Sequence, residues 1–262
     1  MTRILSALVL LPIVLGVVWF LPPAGTLVLA TVAALLAFVE YAGIAEALGA
    51  RVPRVICAVA VVGTCVVVGG VEVPLELVLL SALLVVGTLA VAAGRPGPDV
   101  LLNAGASLLP VIYIGIPLGA LAAVRLLHGR EAVLLLMATI IVSDSAQYYT
   151  GRMFGKRPLA PAISPKKTVE GAVGGIVFGT IAMFAGGLRL FPAATPVMLL
   201  LASATVVGMG IVGDLFESLL KRSAGLKDSS TLIPGHGGVL DRIDSWLFAG
   251  PVYYVFARYL QV

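Results

Sequence analysis

An all-α, polytopic membrane bundle of about nine transmembrane helices is the fold class that three features of the 262-residue chain predict. Apolar residues make up 60% of it, with a mean hydropathy of +1.11, well above the roughly 45–50% apolar content of soluble domains. Charged residues are held to 11%. Apolar runs near the ~20 residues that cross a bilayer recur along the chain, separated by Pro and Gly breaks.

In order, Met1-Thr-Arg3 followed by apolar Ile4 to Leu21 has the start of a signal peptide. The run is long, however, and Pro22-Pro23-Ala24-Gly25 gives no small-x-small cleavage site, so it is taken as the first span. Further spans are expected at 25–47, 53–70, 75–94, 101–124, 131–151, 169–190, 195–218 and 245–261. Arg51-Val-Pro53, Val73-Pro74, Gly94-Arg-Pro-Gly-Pro98 and Phe191-Pro192 break the apolar pattern between them. With no long linker or transporter-type repeat in view, residues 1–262 are read as a single membrane domain. Residues 1–130 form its N-terminal helical bundle, and 131–262 its catalytic helices and loops.

Charge placement orients this map. With the N-terminus in the cytoplasm, the inner segments carry Arg3, Arg51, Arg54, Arg95, Arg152, Lys156, Arg157, Lys166, Lys167, Lys221, Arg222, Lys227 and Arg242, against Arg125, Arg130, Arg189 and Arg258 outside. A 13-to-4 split is a positive-inside bias. It puts the polar loops 152–168 and 219–244 on the same, cytoplasmic face. The net charge of +4 follows from these loops. Cys57 and Cys65 are eight residues apart on one expected helix, hence about 12 Å apart and beyond disulfide reach. With His128 and His236 they do not make a zinc-site spacing.

Polar chemistry is concentrated between Asp214 and Ser245, which hold five of the 13 acids and four of the 17 Lys and Arg residues. On a helix, Asp214, Glu217, Ser218 and Lys221 form one polar stripe. Pro234-Gly-His-Gly-Gly238 is a backbone-permissive loop whose N–H groups can approach an anion. Asp241 and Asp244, three apart, share a helical face at the mouth of the last span. Paired hard-oxygen ligands beside a Gly- and Lys-rich loop suit magnesium and phosphate. Upstream, Asp144, Gln147 and Tyr148 share a face of an apolar span, where a carboxylate is costly unless paired, ligated or facing water. Ser164-Pro-Lys-Lys-Thr168 is expected to open the next helix, where free N–H groups favour phosphate. Gly171, Gly175 and Gly179, with Gly174, form a small-residue seam for close helix packing.

The stretch Ser218-x-Leu220-Lys221-Arg222-x4-Lys227-Asp228-x-Ser230-x2-Ile233-Pro234-x-His236-Gly237-Gly238-Val239-x-Asp241-Arg242-Ile243-Asp244 resembles the signature of the phosphatidate cytidylyltransferases, or CDP-diacylglycerol synthases. Asp144-Ser-x-x-Tyr148 and Ser164-Pro-x-Lys167-Thr168-x-x-Gly171 are similar to two further segments of that family, in the same order. Gln147 departs from it, standing where a small residue is expected. The resemblance is dense over about 140–250 and only compositional before that.

The resemblance implies transfer of a cytidylyl group from CTP to phosphatidic acid, giving CDP-diacylglycerol and pyrophosphate at the cell membrane, with magnesium, room for a second cation, and a homodimer. Asp214, Asp241 and Asp244 are then the expected metal ligands, acting in catalysis with Lys221 and Arg242, and Asp144 is the next candidate. Tyr148, Ser164, Lys167, Thr168 and Ser218 are expected to bind substrate. So are Arg222, Lys227, Asp228, Gly235, His236, Gly237 and Gly238. A nucleic-acid partner is not expected.

The rival of a different class is a secondary transporter that binds a coupling ion at these aspartates. Asp241 and Asp244 lie at a helix end and no repeat symmetry is visible, both of which count against it. Nearer rivals are a cytidylyltransferase for another lipid phosphate and a CTP-using polyprenol kinase. An inert scaffold is disfavoured because every charged signature position is filled.

Overall fold

The computed structural model describes residues 2–94, 96–233, 235 and 237–259. Helix dominates: α1 (Thr2–Phe20), α2 (Pro23–Ala47), α3 (Arg54–Val68), α4 (Leu75–Ala92) and α5 (Asp99–Pro110) come first. A π-helical turn, Val111–Gly115, joins α5 to α6 (Ile116–Phe154). A short hairpin of β1 (Pro158–Ala160) and β2 (Ser164–Thr168) leads to α7 (Val169–Leu190), α8 (Pro196–Ser223) and α9 (Leu240–Tyr259). This is a multi-pass membrane protein. Pro23–Ala47, Leu75–Ala92, Asp99–Phe154, Val169–Leu190 and Pro196–Ser223 are long and apolar enough to cross a bilayer, whereas Leu10–Phe20 and Arg54–Val68 are shorter apolar helices. Side chains such as Val91 and Leu101 are more than four-fifths exposed, as lipid-facing residues are.

Each expected span has a helical counterpart, though among the described residues five stretches rather than nine are long and apolar enough to cross a bilayer; further differences lie at the ends. The spans expected at 101–124 and 131–151 meet at Gly129, whose non-helical φ 83° and ψ −178° divide Ile116–Phe154 into two helical segments, a conformation a side chain would strain. The helix α8 runs five residues past 218, and α9 starts five before 245. Polar residues on which the apolar pattern stops thus continue the helices. Ser164–Thr168, expected to open a helix, instead forms β2, pairing antiparallel with Pro158–Ala160. Proline inside the segment disfavours a helical residue before it, and α7 begins only after Thr168, whose hydroxyl accepts from the Gly171 N–H at 3.1 Å.

The chain forms two compact units. One contains Met1–Ala123 and Leu220–Arg242, with a core of Ala34, Ala37, Phe38, Val61, Cys65 and Ile114. Close approach to α3 is made by glycine: a Cβ on Gly119 would stand 2.6 Å from the Cys65 carbonyl oxygen, and one on Gly115 2.9 Å from that of Val61. Here α2 is fixed by the Tyr41 hydroxyl, which donates to the Ala106 carbonyl at 3.1 Å.

The other unit contains Val124–Leu219 and Ile243–Val262, packed around Leu136, Leu199, Ala202, Val206, Leu247 and Tyr253. Its α6–α7 contact is the glycine seam. A Cβ on Gly174 would strike Thr150, one on Gly175 would strike the Gln147 side chain, and one on Gly179 would come within 3.0 Å of Ser143 and Val207. Gly175→Ala is therefore expected to destabilise the detergent-solubilised protein by about 1–3 kcal/mol through overpacking. By contrast, Gly208→Ala enters open space and costs nothing. Thermal unfolding of the two variants measures the difference, and equal midpoints would contradict the seam.

Candidate active site

In the second unit four charged residues gather from four elements. Lys167 of β2 forms an ion pair with the Asp214 carboxylate of α8, each side chain about one-quarter exposed. Asp244 of α9 lies within electrostatic range of Asp214, Asp144 and Lys167. Its Oδ1 accepts the Ser245 N–H at 2.7 Å. Asp144 of α6 accepts at Oδ1 from Gln147 Nε2 at 3.1 Å. Glycine makes the approach of α8 to α9 possible, because a Cβ on Gly213 would stand 2.6 Å from the Asp244 carbonyl oxygen and 3.1 Å from Phe248 Cβ. Beside the cluster a recess of about 10 Å³ is lined by Ser143, Asp144 and Ser245 among apolar residues, room for one water.

Three carboxylates against one ammonium leave a formal charge of −2 on oxygen donors. That donor set fits a hard divalent cation. As the side chains stand, no three His, Cys, Asp or Glu groups among the described residues converge closely enough to enclose a metal ion, and Lys167 occupies one oxygen of Asp214.

The first unit holds a second polar cluster, built on the loop before α9. Asp241 is buried, and its Oδ1 is paired with Lys221, itself 8% exposed. Oδ2 accepts from Ser229 N (2.9 Å), Ser229 Oγ (2.8 Å) and Gly238 N (2.7 Å). Burial alone pushes this carboxyl up, but the hydrogen bonds from Lys221, Gly238 and Ser229 outweigh it and hold it below the ordinary carboxylate range.

Sequence reasoning missed a partner here, Glu40 of α2, only 6% exposed. Its Oε1 accepts from Ser230 Oγ (2.7 Å) and Val239 N (2.9 Å), and its Oε2 from Leu240 N (2.8 Å), with Ser229 Oγ at 2.9 Å sharing its single proton between this oxygen and Asp241 Oδ2. The N–H groups of 238–240, which the glycine loop offers to an anion, thus meet two of the protein's own carboxylates. An acid two turns inside an apolar span was the available signal, the same kind that drew attention to Asp144.

The family model described as the cytidylyltransferase family matches residues 1–260. This chain belongs to that family. It is 35% identical over 190 residues to a phosphatidate cytidylyltransferase of Helicobacter pylori strain J99, an overlap covering 72% of this chain and 67% of that protein. With the Bacillus subtilis strain 168 protein of the same name it shares 41% over 151 residues, 56% of this chain and 55% of that one. The Pseudomonas aeruginosa counterpart is 44% identical over 122 residues, 46% and 45% of the two chains.

The other signature positions of this cytidylyltransferase fall on both units. In the first, Lys227, Asp228 and Arg242 are exposed, and Arg222 donates from Nη1 to the Leu226 carbonyl at 3.1 Å. Gly235 and Gly237 take φ 77° and 83°, where a side chain is strained. The Gly237 carbonyl accepts from Ile233 N at 2.8 Å. His236 lies outside the described residues. In the second unit, Ser164 lies on β2 and Ser218 on α8, both half-buried. Tyr148 is exposed, its hydroxyl 3.3 Å from Arg152 Nη1. The Lys156–Arg157 turn is tied down by Glu170, whose Oε2 accepts both backbone N–H groups at 3.0 and 3.1 Å. Gln147, the departure from the family pattern, is accounted for by its neighbours: its aliphatic stem covers Gly175 and its amide serves Asp144.

Proposed function

We propose that this chain is a membrane phosphatidate cytidylyltransferase, condensing CTP with phosphatidic acid to give CDP-diacylglycerol and pyrophosphate in phospholipid synthesis. The observation that carries the reading to particular residues is the cluster of Asp144, Asp214 and Asp244 around Lys167, in a chain of this family. A phosphate oxygen of phosphatidic acid attacks the α-phosphorus of CTP, and the bond from that phosphorus to the bridging oxygen breaks, so that pyrophosphate leaves with the electron pair. The nucleophile arrives ionised, and no strong general base is required.

Asp214 and Asp244 are the magnesium ligands in this reading, with Asp144 beside them as a further ligand or water-holder. Magnesium, when bound, neutralises charge on the triphosphate. Lys167 balances Asp214, and in this reading it exchanges that carboxylate for a substrate phosphate. Lys227, Arg222 and Arg242, exposed cations of the signature segment, are assigned to substrate phosphate in this reading. Asp241, with both oxygens engaged inside the protein, keeps Lys221 and the loop in place. The positive-inside count supports a cytoplasmic N-terminus and a site opening to cytoplasmic CTP, and we propose a plasma-membrane homodimer.

The test is pyrophosphate release by the detergent-purified protein given magnesium, CTP and phosphatidic acid. Release that requires both CTP and the lipid is expected. Folded protein that releases none with phosphatidic acid, but does so with another lipid phosphate, overturns the choice of substrate. Release with neither overturns the reaction.

A further inference from the structure

We propose that Glu40 is a positioning residue for this reaction, the anchor that sets the shape of the loop 229–240 and, through it, the placement of Lys227, Asp228 and Arg242. The inference rests on the reading that those residues serve the substrates' phosphates.

Three observations carry it. Glu40 comes from α2, outside the motif-bearing segments, yet all four of its hydrogen bonds go to the loop and the start of α9, at 2.7–2.9 Å. It takes the Val239 and Leu240 N–H groups at a helix start, which have no partner within the helix, and thereby fixes where α9 begins. A Cβ on Gly238 would run into the Glu40 carboxylate and Ser229 Oγ, so glycine at 238 is what lets the anchor enter. Finally, Ser229 Oγ lies 2.9 Å from Glu40 Oε2 and 2.8 Å from Asp241 Oδ2. One hydroxyl thus links the anchor to the carboxylate that binds Lys221. The exposed Lys227 and Asp228 leave this knot on one side and Arg242 on the other.

Glutamine at position 40 has the same shape but one acceptor atom where the carboxylate has two. Whichever way the amide turns, its NH2 faces a backbone N–H and a serine hydroxyl. A displaced loop misplaces charges that act on the transition state, so Glu40→Gln is expected to lower kcat about 100-fold. KM for CTP should stay within about threefold, because the cations that bind the ground state are retained. Tryptic cleavage after Lys227 should quicken at least severalfold in the folded variant, by more than any fall in the thermal midpoint accounts for. A merely structural loss would move the midpoint and leave the catalytic constants of the surviving folded protein alone.

Ser230→Ala, which removes one donor from the loop side, is the milder variant should Glu40→Gln fail to fold. It should show the same pattern at smaller size. In the double variant Glu40→Gln/Ser230→Ala, the loss should not exceed that of Glu40→Gln alone, as expected for residues acting through one contact. Wild-type kcat and wild-type cleavage in folded Glu40→Gln, or in Ser230→Ala where the first does not fold, overturns the proposal. The cleavage readout is independent of turnover, so failure of the wild type to release pyrophosphate bears on the reaction and not on the anchor.

Discussion

Asp244→Asn is expected to lower kcat for pyrophosphate release by about 10³-fold, the size of losing a preorganised charge in a site of this kind, while leaving the folded protein no less stable than wild type. Both halves of the expectation come from the same neighbours. Asp244 sits within electrostatic range of Asp214 and Asp144, with Lys167 the cation on the other side. Removing one of three mutually repelling carboxylates relieves the folded state even as it removes a proposed metal ligand, a trade between stability and activity common at functional sites. Asp214→Asn is expected to lose activity to the same degree but with the opposite sign in stability, because it leaves Lys167 without its carboxylate. Activity assays beside thermal unfolding of the two variants separate these outcomes. Retained turnover in Asp244→Asn would remove the carboxylate cluster from the mechanism.

Lys221→Met is expected to destabilise the protein by about 3 kcal/mol, the lower end for breaking a buried ion pair. The low end applies because Asp241 keeps the Ser229 and Gly238 donors. Solvent screening does not reduce the effect, since the two side chains are 10% and 4% exposed. The pH dependence has a definite sign. Asp241 is held below its ordinary range in the folded protein. Its contribution is therefore present above the unfolded value of about 3.9 and is lost as pH falls through the folded one. In Lys221→Met the buried carboxylate has no cation, and protonation relieves it, so the gap between variant and wild type should narrow on acidification. Unfolding free energies at neutral and acidic pH test this; a gap that widens below pH ~4 contradicts it.

The helices were legible because lipid demands apolar residues over a known length, and the charged signature was legible because carboxylates stand out against such a background. Asp144, Asp214, Asp241 and Asp244 all stand out on that contrast, but nothing in it shows that Asp241 pairs with Lys221. What escaped was whatever depends on a partner remote in the chain. Glu40 is as anomalous in α2 as Asp144 is in α6, but it has no motif around it, and its partners lie 189–200 residues away. Gly238 was readable as a place of close approach, though not what approaches it: a phosphate was expected, and the Glu40 carboxylate is there. The hairpin at 158–168 was hidden because Ser-Pro-Lys-Lys-Thr has little strand propensity. Gln147 looked like a misfit until its packing on Gly175 was visible.

The distance between Glu40 and its partners also matters during biosynthesis. A ribosome adding about 5–20 residues per second needs roughly 10–40 s to make the stretch that separates α2 from the loop satisfying it. Throughout that interval a carboxylate rides in a nascent apolar helix, two turns from its end, at an insertion cost of about 2.5 kcal/mol or more if it reaches the bilayer centre. The second helix therefore completes its burial only after the last loop has emerged, and the chain's earliest acidic residue is among the last to find its place.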